Sequence, residues 1–251
     1  MPATSLIEEL PKIVKEGRQE AQRILERLSS NTHIGLQTNE LVLPAKDTSG
    51  LWKGKNEQVI NKEWMNRLVY GDNLLAMQAL LAGDEATGLP SLRGKVDLIY
   101  IDPPFDSKAD YRTKINLPGM DIEQKPTVIE QFAYSDTWQD GTVSYLKMLY
   151  PRLVLMRELL SDKGSIYVHI DWHVGAYVKV LMDDVFGKDN FVNNIIWHYG
   201  GPSPIKTAFA RKYDIIYLYG KTLKRIFNPQ YGNIPISVLN RAKKDENGRL
   251  W

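Results

Sequence analysis

Cysteine is absent from the sequence, which excludes disulfides, cysteine-ligated zinc fingers and iron–sulfur clusters. Histidine is scarce. The four residues His33, His169, His173 and His198 leave only a histidine or carboxylate site open to a metal. No apolar run approaches the roughly 20 residues of a membrane-spanning helix. The start, Met1-Pro2-Ala3-Thr4-Ser5, lacks the basic and apolar regions of a signal peptide, so a cytosolic protein without membrane contact is expected. A large charge of one sign is lacking too. With 32 Lys and Arg against 30 Asp and Glu, the net charge of +2 says little about partners, and nucleic-acid binding would need a local basic face. What is present is an ordinary globular composition, 43% hydrophobic and 25% charged, in 251 residues, enough for one domain or one and a half.

The chain is organised around Val96-Asp97-Leu98-Ile99-Tyr100-Ile101 and the Asp102-Pro103-Pro104-Phe105 that follows. An apolar, β-branched run broken only by Asp97 predicts a buried parallel strand, because helices on both faces of a sheet remove the need for polar alternation. Two prolines without backbone donors stop that strand and stiffen the loop at its carboxyl end, where open α/β sheets bind ligands. The tetrapeptide alone is read equally well as a plain strand-terminating turn.

Along the rest of the chain, apolar spacing predicts a short first turn, an interruption at Pro11 and a helix over 12–28 that packs against the domain or a partner. Residues 31–66 read as a wrapping segment with a few short elements. A short strand over 67–70 leads through Gly71-Asp72-Asn73 into a helix with Leu74, Leu75, Met77 and Leu81 as its apolar stripe and Gln78 outside it; Asp72 or Asn73 would cap it. After a polar loop over 83–95 and the central strand, 106–141 reads as a long irregular stretch. Its Asp106, Lys108, Tyr111, Arg112, Lys114, Tyr134 and Trp138 suit contact with a phosphate backbone and an extruded base, and a bland lid is the alternative.

A helix over 142–160 should kink near Met148 because of Pro151. A strand over 164–170 and a helix over 174–186, stopped by Gly187, follow. Strands over 193–199 and 213–219 are joined by the loop 200–212. His169, Asp171 and His173 alternate and could imitate a metal triad, but a strand end with a helix cap at Asp171 explains them better. Arg211, Lys212, Lys221, Lys224 and Arg225 read as one basic, solvated surface.

Asp102-Pro103-Pro104-Phe105, within DLIYIDPPFDSKADY over 97–111, resembles the catalytic tetrapeptide of the amino-methyltransferases that modify exocyclic amines in DNA, in particular the modification subunits of type III restriction systems. The resemblance runs from about 67 to 220. It implies an α/β fold: a Rossmann-like methyltransferase sheet, incomplete, with parallel central strands and an antiparallel outer pair at the far edge. It divides the chain into an amino-terminal helical and wrapping segment (1–66), the catalytic part of a methyltransferase domain (67–220) and the start of a target-recognition or linker segment (221–251). The cofactor implied is S-adenosylmethionine, with Gly71, Asp72, Asn73 and Asp102 beside it, and no metal.

The same resemblance gives the catalytic set: Asp102 and the Pro103 carbonyl accept the hydrogens of the target amine, Pro104 stiffens the loop, and Phe105 stacks on the base. Asp at the first position resembles the adenine-modifying branch, whereas cytosine-modifying relatives carry Ser there and a glutamine-modifying family Asn. Phe105 in place of the more usual Tyr keeps the ring. The residues around His169 would line the target-base pocket. Implied partners are DNA, a second copy of the chain and a restriction helicase-nuclease subunit.

One departure stands out, in that the sequence holds no glycine-rich cofactor loop of the form Phe-x-Gly-x-Gly. Gly200-Gly201, before Pro202, follow an outer strand and open no helix. The expectation is therefore the amino-terminal portion of a longer enzyme, inactive alone, whose central strand has a bare edge. The alternatives are a non-catalytic DNA-binding or assembly module, or an RNA methyltransferase.

Overall fold

The computed structural model describes residues 5–28, 68–69, 71–83, 88–103, 113–117, 120–124, 141–201 and 206–229, with backbone alone over 113–117 and 120–124. The chain is carried by a four-stranded mixed sheet, in the order β1 (Val96–Ile101), β4 (Leu160–Asp171), β6 (Tyr213–Gly220), β5 (Phe191–His198). β1 and β4 run parallel, with Ile99 beside Ile166 and Ile101 beside Val168. β6 is antiparallel to both β4 and β5. This is the incomplete α/β sheet that the sequence predicts, its antiparallel pair at one edge and β1 at the other.

A parallel pair needs a crossover, and α3 (Thr142–Leu159) supplies it. The even-numbered residues of β4 show why the sheet is one-sided. Ile166, Val168 and Ile170 are fully buried against Tyr145, Leu146, Leu149 and Leu153 of α3 and against Val178, Leu181 and Met182 of α4 (Gly175–Phe186). Tyr167, His169 and Asp171 point to the opposite face. On that face Leu98 is 62% exposed and Tyr100 55%, so β1 is not the doubly covered strand that its apolar run predicts. Among the described residues, helices pack on one face only. Asp97, the polar break in β1, accepts a hydrogen bond from the Ser161 hydroxyl at 2.5 Å.

α1 (Leu6–Leu28) is a single helix that includes Pro11, rather than a turn followed by a helix from residue 12. Pro11 lies near the helix start and forgoes one backbone bond, while its fixed φ suits the helix. The buried stripe Ile13, Gly17, Ala21 and Ile24 lies on α3, and a Cβ on Gly17 would come within 2.5 Å of the Tyr150 ring. α2 (Asn73–Ala82) matches its expected span, capped by Asp72, whose Oδ1 accepts from the Leu74 and Leu75 amides. Its stripe is rotated from the prediction: Gln78 is buried and Leu75 half-exposed, because Met77 and Leu81 are the residues that meet Ile24, Leu155 and Leu159.

Three further expectations are corrected. Leu68 and Val69 form no strand, and Leu68 is almost fully exposed; without a neighbour to bond there is no ladder. The stretch read as irregular contains an antiparallel pair, β2 (Thr113–Leu117) and β3 (Met120–Gln124). β4 begins at Leu160, directly after α3, and not at 164. α3 is one helix with Pro151 inside it. The wrapping segment 31–66, Arg67 and Tyr70, Pro104 and Phe105, the residues Asp106, Lys108, Tyr111, Arg112, Tyr134 and Trp138, and the tail beyond 229 lie outside the described residues. Among the described residues no helix is long and apolar enough to cross a membrane.

Candidate active site

The parallel register decides what surrounds Asp102. Tyr100 pairs with Tyr167 and Ile101 with Val168, so the next step along both strands sets Asp102 beside His169. The imidazole lies between two strands' carboxylates. Its Nδ1 is 3.6 Å from Asp102 Oδ1 and 3.0 Å from the Tyr100 hydroxyl, and its Nε2 is 3.3 Å from Asp214 Oδ2 on β6. Asp214 is opposite Asp171 in the antiparallel register, so the ends of β1 and β4 and the start of β6 meet here, with the Asp102 and Asp214 carboxylates on the imidazole. Asp102 itself is half-exposed at the strand end, open to a ligand, and Pro103 beside it is half-buried.

Asp171 ends β4 and turns the chain toward α4 by accepting from the His173 amide at 2.9 Å and the Val174 amide at 3.4 Å. This is the cap-like role expected of it. Burial pushes its carboxyl above the usual range, and those two amide bonds oppose the shift. Partial desolvation raises the Tyr100 hydroxyl, exposed as it is, with the Asp102 charge adding to it, and likewise raises Tyr199, to which the charges of Asp214 and Asp171 contribute. His173 does not join His169. It stacks on Trp172 at 4.9 Å between ring centroids, and the Arg211 guanidinium lies 4.4 Å over the other ring of that stack, Trp172.

The second predicted corner is built around a residue that sequence reasoning missed. Arg152, in the apolar middle of α3, donates from Nε to Asn73 Oδ1 at 2.6 Å and from Nη1 to the Met148 carbonyl at 2.8 Å, and its Nη2 is 3.7 Å from Asp72 Oδ2. Burial lowers its pKa, and Asp72 and Glu20 partly restore it. Asp72 is thus divided between two tasks: Oδ1 caps α2, while Oδ2 stays largely open on a half-exposed side chain. Gly71 has φ 140°, and a Cβ there would meet nothing within 4 Å, so glycine serves the backbone turn rather than a close approach. No hydrogen bond or ion pair joins Asp72 or Asn73 to Asp102 among the described residues.

Of the predicted residues, then, Asp102 and Pro103 stand at the strand end, and Gly71, Asp72 and Asn73 stand at the start of α2. Tyr100, Asp214 and Arg152 were not singled out, although Asp214 and Arg152 are each a polar interruption of an apolar element. The predicted basic surface divides: Arg211 and Lys212 precede β6 and Lys221, Lys224 and Arg225 follow it, some 26 Å of strand apart. Lys212 donates to the Gly201 carbonyl, and Lys221 donates to the Leu160 carbonyl at 2.6 Å.

Comparison with known proteins agrees with this geometry. The sequence profile of the DNA methylase family of N6 and N4 methyltransferases matches residues 96–251. The type II methyltransferase M.EcaI of Enterobacter cloacae is 30% identical over 199 residues, covering 77% of this chain and 38% of the relative. The EcoP15I Mod subunit of an Escherichia coli type III restriction-modification enzyme is 27% identical over 191 residues, covering 71% and 28%. The probable HindVI Mod subunit of Haemophilus influenzae is 30% identical over 191 residues, covering 74% and 21%. The chain therefore spans well under half the length of these relatives, and the part that the family profile matches contains β1, Asp102 and the whole four-stranded sheet. The chain belongs to the DNA methylase family.

Proposed function

We propose that this chain carries the target-amine half of an enzyme that methylates N6 of adenine in DNA within a restriction-modification system. The observation that carries the proposal is Asp102, half-exposed at the carboxyl end of β1 and directly followed by Pro103-Pro104-Phe105. Adenine's exocyclic nitrogen is a poor nucleophile because its lone pair is delocalised into the ring. Asp102 and the Pro103 carbonyl, both acceptors, bond the two amine hydrogens and favour a tetrahedral nitrogen whose lone pair is free to attack. Pro104 stiffens the loop. Phe105 gives the extruded base a stacking face, worth roughly 1–3 kcal/mol, comparable with the few kcal/mol lost in extrusion.

S-adenosylmethionine, when bound, supplies a methyl group on a sulfonium that is already a good donor, so positioning is the main task left to the protein. The residues present fit one end of it. The open Asp72 Oδ2 accepts from an adenine amine, and the Asn73 side-chain NH2, its oxygen held by Arg152, remains able to donate. Gly71, beside Asp72 in the chain, and Asp102 complete the cofactor-binding set that the resemblance implies. A Phe-x-Gly-x-Gly loop is absent from these 251 residues, so the loop has to come from elsewhere, on this polypeptide or on another, and the isolated 251 residues do not methylate. The kinship with Mod subunits favours DNA and a restriction subunit as partners, and a second copy of the chain is the partner that the resemblance adds.

The test is Asp102→Ala in the loop-complete enzyme. Methyl transfer to duplex DNA is abolished while DNA affinity, read by fluorescence anisotropy, stays nearly unchanged, because Asp102 acts on the amine in the transition state. Retained transfer by this variant contradicts the proposal, and equal loss of DNA binding makes Asp102 part of a binding module.

A further inference from the structure

Methylation of the amine leaves a nitrogen that carries one proton more than the neutral product. Asp102 is the nearest acceptor in the proposed site, but it must also return to its ionised form for the next cycle. We propose, resting on the function just given, that His169 takes this proton from Asp102 and that Asp214 holds the resulting charge, making His169 a positioning and relay residue that acts through Asp102.

The geometry gives each nitrogen one task. In the neutral imidazole only one nitrogen carries hydrogen. Asp214, a carboxylate 3.3 Å from Nε2, has no proton to give and so fixes the hydrogen on Nε2; Nδ1 is then the acceptor, and it receives the Tyr100 hydroxyl at 3.0 Å. The Asp102 carboxylate, 3.6 Å from that same Nδ1, faces a lone pair and gains nothing from it until one of the two holds a proton. The steps balance. The N6–H bond breaks and an Asp102 O–H forms; the Asp102 O–H breaks and Nδ1–H forms, with the Tyr100 hydroxyl swinging aside; the imidazolium now lies between the Asp102 and Asp214 carboxylates. Loss of the Nδ1 proton to water leaves the hydrogen on Nε2, against Asp214, and completes the cycle.

Among the described residues, the groups that face the ring are Tyr100 and Asp102 from β1 and its end, and Asp214 from β6; Asp171 is paired with Asp214 across the two strands, and Tyr199 interacts with Asp214. The network holds no described cation besides His169 that could carry the charge in its place: Arg211 is occupied over Trp172, and Lys212 bonds a backbone carbonyl. His169 is mostly buried, with 17% of its side chain exposed, so small bases can reach the space it leaves.

The experiment is single-turnover methyl transfer by the loop-complete enzyme with His169→Ala, His169→Asn and Asp214→Asn, together with 15N correlation of the His169 ring. His169→Ala should lower the rate by on the order of 10²-fold, the low end for acid–base assistance. Added imidazoles should restore it in proportion to their basicity, a dependence that a merely structural gap would not show. His169→Asn, which can hold a hydrogen bond at this point but not carry a proton, should stay slow. The ring spectrum should show the Nε2–H tautomer in the neutral form, and Asp214→Asn, whose Oδ1 can still accept from Nε2 but carries no charge, should keep that tautomer and slow transfer. A wild-type rate in His169→Asn, rescue indifferent to base strength, or an Nδ1–H tautomer overturns the relay while native adenine methylation stands. An inactive native enzyme defeats the functional reading itself, and the relay with it.

Discussion

Replacing Arg152 separates what its charge does from what its stem does. The guanidinium is the tie between α3 and the start of α2, through the 2.6 Å bond to Asn73 and the 3.7 Å approach to Asp72, and its side chain is 14% exposed. A hydrogen bond from a charged donor is worth about 1.5–3 kcal/mol, and burial of the guanidinium, visible in its lowered pKa, returns part of that when the charge is removed. Arg152→Met keeps most of the packed stem and should cost roughly 1–2 kcal/mol on that balance. Arg152→Ala also opens a cavity beside the core of α3, and roughly 2–4 kcal/mol is expected. Urea unfolding of both variants, and of each combined with Asn73→Ala, gives the coupling between the two side chains, expected at about 1 kcal/mol. If Arg152→Met costs as much as Arg152→Ala, or if no coupling to Asn73 is found, the tie is not the polar contact described and the reasoning fails.

Other consequences can be measured on the same chain. Gly17→Ala gains helix propensity of about 1 kcal/mol yet should lose stability by roughly 1–3 kcal/mol, because its Cβ would lie 2.5 Å from the Tyr150 ring between α1 and α3; a more stable variant would show that the two helices can part without cost. Asp171→Asn should stabilise at neutral pH, with its Oδ1 still able to accept the His173 and Val174 amides. The folded carboxyl is raised by burial, so in the window just above the ordinary Asp range the native state binds more protons than the unfolded one and wild-type stability falls as pH rises. The advantage of the variant must therefore grow through that window and vanish below it, and an advantage that is flat with pH removes burial as its cause. Titration calorimetry with S-adenosylmethionine on the 251 residues alone should detect weak binding or none, with light scattering showing association through the edge of β1 that has no partner strand among the described residues; micromolar binding by a monodisperse monomer contradicts the account of a missing loop.

What could be read from the sequence followed local periodicity and punctuation. β1 ends at Ile101, just before Asp102-Pro103, Gly187 closes α4 with φ 90°, and Asp72 caps α2, because each is a short-range steric or hydrogen-bonding fact. The β2–β3 pair was legible in principle: Ile115 and Leu117, then Met120 and Ile122, alternate about Pro118-Gly119, a turn signal that the surrounding charges obscured. Burial of Gln78 and exposure of Leu98 and Tyr100 were not legible, since which side of an element is covered depends on the helices that pack there. Nor was the Tyr100–His169–Asp214 contact. It joins residues 69 and 45 positions apart in the chain, and it follows only from the registers of β1, β4 and β6.

The central claim, that Asp102 activates the exocyclic amine of adenine, is tested most directly by mass spectrometry of nucleosides from duplex DNA incubated with the loop-complete enzyme and S-adenosylmethionine. The account predicts N6-methyladenine from the native enzyme and no methylated base from Asp102→Ala. N4-methylcytosine as the product, or N6-methyladenine that survives the loss of Asp102, contradicts it.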